Sequence, residues 1–516
     1  MKFPIGIQTF EKLITGGYVY VDKTDLVYKL VSSGEYYFLS RPRRFGKSLL
    51  TTTLESYFLG QKELFKGLAI DSLEKDWIEY PVFHIDFSGN KYIHENELNS
   101  VVNLFLEECE SKYERNLSEV TFGSRFQGVI KRAYEKTGKK VVVLIDEYDK
   151  PLTDTIGNPE IQDANRSVLQ ELYGVFKNSD RYIKFTFLTG VTRYGKLGIF
   201  SAANNLEDIS TNKKYAAICG ISEKELHSYF DNEIKEFAEE ENISVEEMYG
   251  LLKTKYDGYH FFPNSEDIYN PFSLLNALKS KALSNSWFAT GTPTYLVKIL
   301  KKNEPDLSKL ENGISATLEN ISTFGNGEEN IIAALYQSGY LTIKDLNGKF
   351  YRLGFPNEEV RDGFIQCLMA EYSGKGGLLD NDLQRLYENI NGDDVEGFLL
   401  MIKHIIGQIP FENSEPNMME IHFRNMLYLM IRFSGHSVSV EYPVLGGRID
   451  VFFETNKYAY ILECKRDESA ETALAQIDEK RYAKKISAPG KTVVKIGANF
   501  STKERNIVEW KVKEIS

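Results

Sequence analysis

The chain has 516 residues, with 62 basic and 74 acidic side chains and a formal net charge of −12. With 42% hydrophobic and 26% charged residues it is not a mainly disordered chain, and its length predicts about three domains. Four cysteines (Cys109, Cys219, Cys367, Cys464), none in a C-x-x-C pair, exclude a disulfide scaffold and a structural zinc site and fit a reducing compartment. Met1-Lys2-Phe3-Pro4-Ile5-Gly6 carries no apolar leader, and no apolar run reaches the roughly 18 residues of a membrane span, so a cytoplasmic protein is expected.

The first 220 residues alternate apolar runs with helical patterns. Tyr36 to Leu39, Val82 to Phe87, Val141 to Ile145 and Ile183 to Leu188 read as short buried strands, with amphipathic segments such as Glu95 to Lys136 between them. That alternation predicts a parallel α/β sheet. Residues 221–300 are helical and acidic, with Glu239-Glu240-Glu241 on a solvated face. Within 221–365, a helical stretch from Asn330 to Gly339 precedes two β-rich runs, Tyr340 to Ile343 and Lys349 to Leu353, with a hairpin turn expected at Asn347-Gly348. Helix and hairpin together suggest a winged-helix-like region, whose non-basic recognition segment favours a structural role over DNA reading. Residues 366–418 read as a helical linker, least regular from Gly407 to Asn417. Residues 419–516 open with a helix (Met419 to Phe433) and continue as strands around a further helix.

Charge is uneven along this plan. A net −12 argues against a nucleic-acid partner, because phosphate backbones select basic surfaces. From Glu420 to Ser516, however, 16 Lys and Arg face 13 Asp and Glu, net +3, which leaves −15 on the preceding residues.

Two constellations carry chemistry. After the first strand comes Ser40-Arg41-Pro42-Arg43-Arg44-Phe45-Gly46-Lys47-Ser48-Leu49, running into a helix. A strand, a turn, Gly-Lys-Ser and a helix form the context in which backbone N–H groups at a helix start cradle phosphates. Arg44 to Leu49 is the candidate cradle, with Lys47 reaching the β/γ-phosphates of ATP and the Ser48 hydroxyl holding Mg²⁺. Arg41 occupies the first glycine position of G-x-x-x-x-G-K-[ST]. The apolar strand Val141 to Ile145 ends in Asp146-Glu147, where Asp146 can bind the same Mg²⁺ and Glu147 can polarise an attacking water. Thr189-Gly190-Val191-Thr192-Arg193 follows the next strand, and Arg193 is a candidate charge stabiliser there.

These strings, with Pro4-Ile5-Gly6, Tyr20 to Thr24, Ile145 to Asp149, Tyr256-Asp257-Gly258-Tyr259, Tyr269 to Ser273 and Trp287 to Pro293, resemble the bacterial AAA-ATPase-like family over nearly the whole chain. That family is commonly fused to a C-terminal nuclease-type domain and often lacks the first glycine of the loop. The resemblance implies an ASCE-type P-loop fold.

The second constellation is Gly446-Gly447-Arg448-Ile449-Asp450 to Phe453, a turn at 454–457, and Tyr458 to Leu462 followed by Glu463-Cys464-Lys465. If the chain reverses at 454–457, Asp450 lies opposite Glu463, and strand alternation puts Glu463 and Lys465 on one face. Two carboxylates can hold Mg²⁺ or Mn²⁺, and a lysine can orient the metal's water and stabilise phosphorane charge. The spacing D-x(12)-E-x-K resembles the PD-(D/E)XK nuclease superfamily, in which Asp450, Glu463 and Lys465 match the motif. Gln476-Ile477 with Tyr482 resembles the Q…Y element of several branches, and Glu420 stands where some members place an extra carboxylate. Lys480, Arg481, Lys484 and Lys485, read as part of that same helix, are further candidates for phosphate contact.

Six of the seven histidines (His84, His227, His260, His404, His422, His436), weighed as ligands, show no metal-ligand spacing, and neither a dinucleotide fingerprint around Gly190 and Gly195 nor a G-x-S-x-G elbow occurs. Trp287 and Phe288 read as packing aromatics. The expectation is thus an ATP-dependent protein joined to a metal-dependent nuclease acting on nucleic acid, with a protein partner or homo-oligomer left open. The alternative is a regulatory NTPase whose C-terminal domain binds nucleic acid or a protein without cleavage.

Overall fold

The computed structural model describes residues 1–516 except 195–204, 288–295, 297–298, 301–304, 323–329, 374–379, 409–415, 487 and 516. Gly195, the stretch Phe288 to Pro293 and residues 374–379 and 409–415 of the expected linker lie outside the described residues, as does the side chain of Glu420.

All four apolar runs form strands: β1 (Tyr36–Ser40), β2 (Val82–Asp86), β3 (Val141–Asp146) and β4 (Ile183–Gly190), joined at the edge by the short β5 (Glu207–Asp208). They pair in parallel in the order β2-β3-β4-β1-β5, the ASCE-type sheet expected. Every residue of β3 is buried, which is why Val141 to Ile145 is an unbroken apolar run rather than an alternating one. Because the strands are parallel, Ser40, Asp146 and Gly190 end at one edge of the sheet, where ligands of open α/β sheets bind.

The segment read as one amphipathic stretch from Glu95 to Lys136 is two helices, Glu97–Tyr113 and Phe122–Thr137, the second started by a Thr121/Ser124 capping box. Arg125 grips Glu110 through two 2.9 Å hydrogen bonds and fastens one helix to the other.

Beyond β5, β6 (Ile221–Ser222) and β7 (Ile268–Tyr269) bracket helices Glu223–Glu241 and Val245–Tyr256, and helix Pro271–Ser280 follows. Phe230, Ile234, Phe237, Leu252 and Leu274 form their common core, and Glu239-Glu240-Glu241 is exposed as expected. Helix Ile331–Gln337 leads into a three-stranded antiparallel sheet in which β8 (Ile314–Ala316) and β9 (Thr342–Asn347) flank β10 (Phe350–Gly354). The hairpin turn is Gly348-Lys349, one residue later than the Asn-Gly reading. Asn347 still pairs with Phe350, and Gly348 takes the left-handed conformation (φ 62°) at the first loop position.

By compactness the chain forms two units, one of Met1–Leu296 with Ile314–Val360, the other of Val297–Gly313 with Arg361–Ser516. In the second, helices Asp380–Asn391, Val395–Gln408 and Pro416–Phe433 accompany a mixed sheet of β11 (Val438–Val444), β12 (Gly447–Glu454), β13 (Tyr458–Arg466), β14 (Thr492–Ser501) and β15 (Asn506–Ile515), paired in that order. Only β13 and β14 run parallel, and helix Ala470–Glu479 makes the crossover that parallel neighbours require. That helix stops at Glu479. Arg481 turns left-handed (φ 53°), so Lys480 is its cap, and Arg481, Lys484 and Lys485 lie beyond it rather than on its face.

In the first unit, Glu359 is fully buried and accepts a 2.9 Å hydrogen bond from the Trp287 backbone N–H. Burial pushes its carboxyl up to about 7, and that of buried Asp257 likewise to about 7. Unfolded, such groups titrate near about 4, so the folded unit binds extra protons between those values and loses stability as pH rises through that window. Glu359→Gln, which mimics the protonated form, is expected to gain thermal stability relative to the parent between pH 5 and pH 8. Scanning calorimetry of the two proteins across that range checks it, and a constant difference would contradict the assignment.

Candidate functional site

Between the end of β1 and helix Lys47–Phe58 the backbone turns through two left-handed residues, Arg44 (φ 68°) and Gly46 (φ 92°). Gly46 is the helix N-cap and no side chain caps the first turn, so the leading N–H groups are left for an external acceptor. The start of this helix borders a cleft of about 460 Å³. Lys47 and Ser48 line it with Glu147 and Asp149. Pro4, Ile5, Leu49, Pro271, Phe272 and Leu275 supply an apolar wall. Its size is that of a small-molecule site.

The charged groups converge inside it. Lys47 is 4% exposed, and its Nζ lies 3.4 Å from both the Pro42 carbonyl oxygen and Glu147 Oε1. Asp146, 2% exposed at the tip of β3, is pushed up to about 6 by burial and by the Glu147 charge, against a hydrogen bond from Ser48 and the charge of Lys47. Ser48 and Asp146 are therefore placed together, as a shared divalent cation requires. Glu147 stands on a left-handed backbone (φ 51°), which turns it out of the strand register. Asp149, quoted in the sequence without a role, accepts hydrogen bonds from the backbone N–H groups of Val191 (3.2 Å) and Thr192 (2.6 Å), fixing the loop after β4.

Arg44 lines the cleft with its guanidinium 4.7 Å over the Phe272 ring, whereas Phe45 is not part of its lining and its buried ring packs on Tyr259 and Phe261. Arg41 explains how the loop dispenses with its first glycine. Its side chain, 1% exposed, leaves the cradle and donates to the carbonyls of Ser40, Ser210 and Tyr215, stacked 3.9 Å over Phe261. Arg193 is not brought to the cleft. It pairs with Asp208 of β5 at 2.7 Å and borders a separate cavity of about 40 Å³ beside Arg41.

The sequence stretches without evident chemistry support the loop from behind. Tyr259 and Phe261 pack edge-on against Phe45, with ring centroids 4.8 and 5.4 Å away. Trp287 Nε1 donates to the Arg43 carbonyl at 3.1 Å. Thr342 of β9 accepts from the His260 N–H at 2.7 Å, so the hairpin sheet holds the other side of the Tyr256 to Phe261 segment.

In the second unit, β12 and β13 pair as the hairpin predicts. Val451 faces Leu462, which sets Asp450 opposite Glu463. The Asp450 backbone N–H donates to Glu463 Oε1 at 3.2 Å, and Asp450 Oδ2 accepts from the Cys464 N–H at 2.9 Å. Gln476 bridges the remaining groups, donating to Glu463 Oε2 at 2.8 Å and accepting from Lys465 Nζ at 2.5 Å. Tyr482, 2% exposed, hydrogen-bonds Gln476. Burial first, and the Asp450 charge second, push Glu463 up to about 8, and Asp450 is itself raised by burial. Two facing carboxylates in a desolvated spot are an oxygen donor set suited to a divalent cation, so the residues fit Mg²⁺ or Mn²⁺. Sequence reasoning missed Glu441 of β11, a left-handed residue (φ 53°) that pairs with Arg424 and Arg448 and whose charge acts on Asp450.

Among the described residues, no helix is long and apolar enough to cross a membrane. Residues 4–200 match the family model described as "Predicted AAA-ATPase", and residues 418–510 match the PD-(D/E)XK nuclease superfamily. An uncharacterized protein in the vnfD 5′ region of Azotobacter chroococcum mcd 1 is 34% identical over the whole of this chain and 99% of its own length. With its Gly46-Lys47-Ser48 cradle beside Asp146-Glu147 and its Asp450, Glu463 and Lys465 cluster, this chain belongs to the AAA-ATPase-like family and carries a C-terminal PD-(D/E)XK nuclease superfamily domain.

Proposed function

We propose that the N-terminal domain binds and hydrolyses ATP with Mg²⁺, and that the C-terminal domain is a metal-dependent nuclease cleaving nucleic-acid phosphodiesters. The observation that carries the nuclease reading is the convergence of Asp450, Glu463 and Lys465 on one spot, linked by Gln476. When bound there, a divalent cation lowers the pKa of its water and neutralises phosphate charge. Asp450 and Glu463 hold it, Gln476 orients Lys465, and the Lys465 ammonium stabilises charge that develops on the phosphorane.

In the ATP cleft the chain's own groups divide the work. The open N–H groups after Gly46 and the Lys47 ammonium bind phosphate oxygens, and Ser48 with Asp146 hold the cation. Glu147, at the cleft wall beside Lys47, accepts a proton from the attacking water. Phe272 and Leu275 cover the base. One chain carrying both domains supports coupling of ATP occupancy to cleavage, and a Lys47→Ala protein cleaving DNA identically with and without ATP would count against it.

Two sets of variants test the assignments. Lys47→Ala is expected to abolish binding of a fluorescent ATP analogue. Glu147→Gln is expected to keep that binding while hydrolysis falls by at least about a hundredfold. A Glu147→Gln protein turning over ATP at the parental rate would remove the base from Glu147. For the C-terminal site, Asp450→Ala and Lys465→Ala are each expected to lower Mg²⁺-dependent cleavage of labelled DNA and RNA by at least about a hundredfold while the chain still binds them. Unchanged cleavage in either would sink the nuclease reading.

A further inference from the structure

We infer that the tip of the β11–β12 hairpin is a nucleic-acid contact, at which Leu445 wedges between the stacked bases of a duplex while the cations around it hold phosphates. This rests on the nuclease reading of Asp450, Glu463 and Lys465 and adds the way a substrate is seated beside them.

Leu445 stands in solvent. At 87% exposure it is the most exposed large apolar side chain among the described residues. One exposed leucine on a loop is ordinary, and what sets this one apart is how firmly its backbone is held. Val444 pairs with Gly447, so Leu445 and Gly446 are the two residues of a tight turn, with Gly446 left-handed (φ 86°). The Leu445 carbonyl accepts a hydrogen bond from Lys485 Nζ. Gly447 lies so close to Tyr482 that a Cβ there would come within 2.7 Å of its Oη. Tyr482 also hydrogen-bonds the Arg448 backbone and Gln476. Gln476 is the residue that joins Glu463 to Lys465. Tyr482 therefore fixes the hairpin tip against the carboxylate cluster.

The charge beside this side chain has one sign. Segment 480–486 holds four cations (Lys480, Arg481, Lys484, Lys485) and no acid, and segment 443–449 holds Arg448 and no acid. Lys480, Arg481 and Lys484 are exposed and form no ion pair among the described residues. Of the acids flanking these segments, Glu441 pairs with Arg448 at 2.7 Å, Asp478 pairs with Lys495, and Glu479 is exposed at the end of its helix. An apolar point among cations suits a ligand that alternates negative phosphates with apolar ring faces. A duplex is such a ligand, and proteins that kink duplexes insert leucine and similar side chains between base steps. A protein partner would match the charge equally. Only a substrate of the Asp450–Glu463 site, however, gains from a contact tied to that site through Tyr482 and Gln476.

The spacing is set by the strand. From Gly447 to Asp450 β12 advances about 10 Å, and the turn adds about 5 Å at most. Successive phosphates of one strand advance about 3.4 Å, so wedge and carboxylate pair lie about three to five nucleotides apart. Opening the stack at Leu445 bends the duplex next to the phosphodiester that Asp450, Glu463 and Lys465 receive.

The test uses the full chain with Asp450→Ala, which suppresses turnover, and short DNA and RNA duplexes of one sequence carrying 2-aminopurine, whose fluorescence rises on unstacking. Binding is followed by anisotropy of a labelled end. At saturation the 2-aminopurine signal of at least one duplex is expected to rise at least about twofold. Adding Leu445→Ala should abolish the rise while affinity falls by less than about tenfold, because the phosphate contacts remain. Leu445→Phe should keep the rise. Arg481→Ala with Lys484→Ala should do the reverse, weakening binding by about tenfold and lowering its salt dependence while the rise at saturation persists. With the chain that retains Asp450 and a DNA duplex holding a short mismatched bubble, cleavage should gather about three to five nucleotides from the bubble, and Leu445→Ala should scatter it. Binding without a rise, or a rise that survives Leu445→Ala, overturns the wedge alone. A chain that binds neither duplex also overturns it and assigns the tip to a protein partner. A rise lost in Leu445→Ala, with no Mg²⁺-dependent cleavage by the parent, upholds the wedge and overturns the nuclease reading.

Discussion

Both candidate sites depend on one constraint, that a carboxylate carried into a sheet interior cannot stay ionised without a compensating cation. β3 is buried along its whole length and ends in Asp146, 2% exposed and against Ser48 and Lys47. β13 delivers Glu463 with 1% exposure. In each case burial is the largest influence raising the carboxyl, to about 6 and about 8, and a neighbouring acid adds to it. The protein answers with lysines and hydroxyls at the first site and with a glutamine-held lysine at the second. What remains uncompensated is the preference for a divalent ion, which suits the chemistry of phosphate transfer at both.

The loop at the first site is rigid because it is held from outside the cleft. Phe45, Arg41 and the Arg43 carbonyl each point away from the ligand side and find a partner there: the Tyr259–Phe261 aromatic pair, a set of backbone carbonyls, and the Trp287 indole. A phosphate cradle works through preorganised N–H groups, so its precision is set by how firmly the backbone is fixed. The aromatic and asparagine-capped stretches between residues 256 and 287 are thereby explained. Asn270 caps helix Pro271–Ser280, placing Phe272 against both Arg44 and the cleft. Their chemistry is support rather than catalysis.

Charge at the second site has to be judged locally. A net +3 over the last 97 residues is modest for a nucleic-acid-binding domain, yet Arg424 and Arg448 stand beside the Asp450–Glu463 pair. Both pair with Glu441, so total charge does not describe the local field at this site.

The sequence by itself determined the elements whose signals are local. The apolar run of β3 reads as a buried strand, and the strand, turn, Gly46-Lys47-Ser48 and helix read as a phosphate loop; the structure has both, with Gly46 left-handed. The Asp450–Glu463 pairing was legible for a related reason, since a short turn fixes hairpin register and the acids follow by counting. The same counting slipped by one residue at Gly348, where composition names the turn residues without saying which takes the first loop position. Only the tertiary structure decided that Arg193 faces Asp208 rather than the cleft, that Trp287 reaches Arg43 across 244 residues, and that Glu441 pairs with Arg424 and Arg448. Those contacts follow from strand order and helix packing. Because each partner is chosen by the fold and not by its sequence neighbours, no local pattern encodes them.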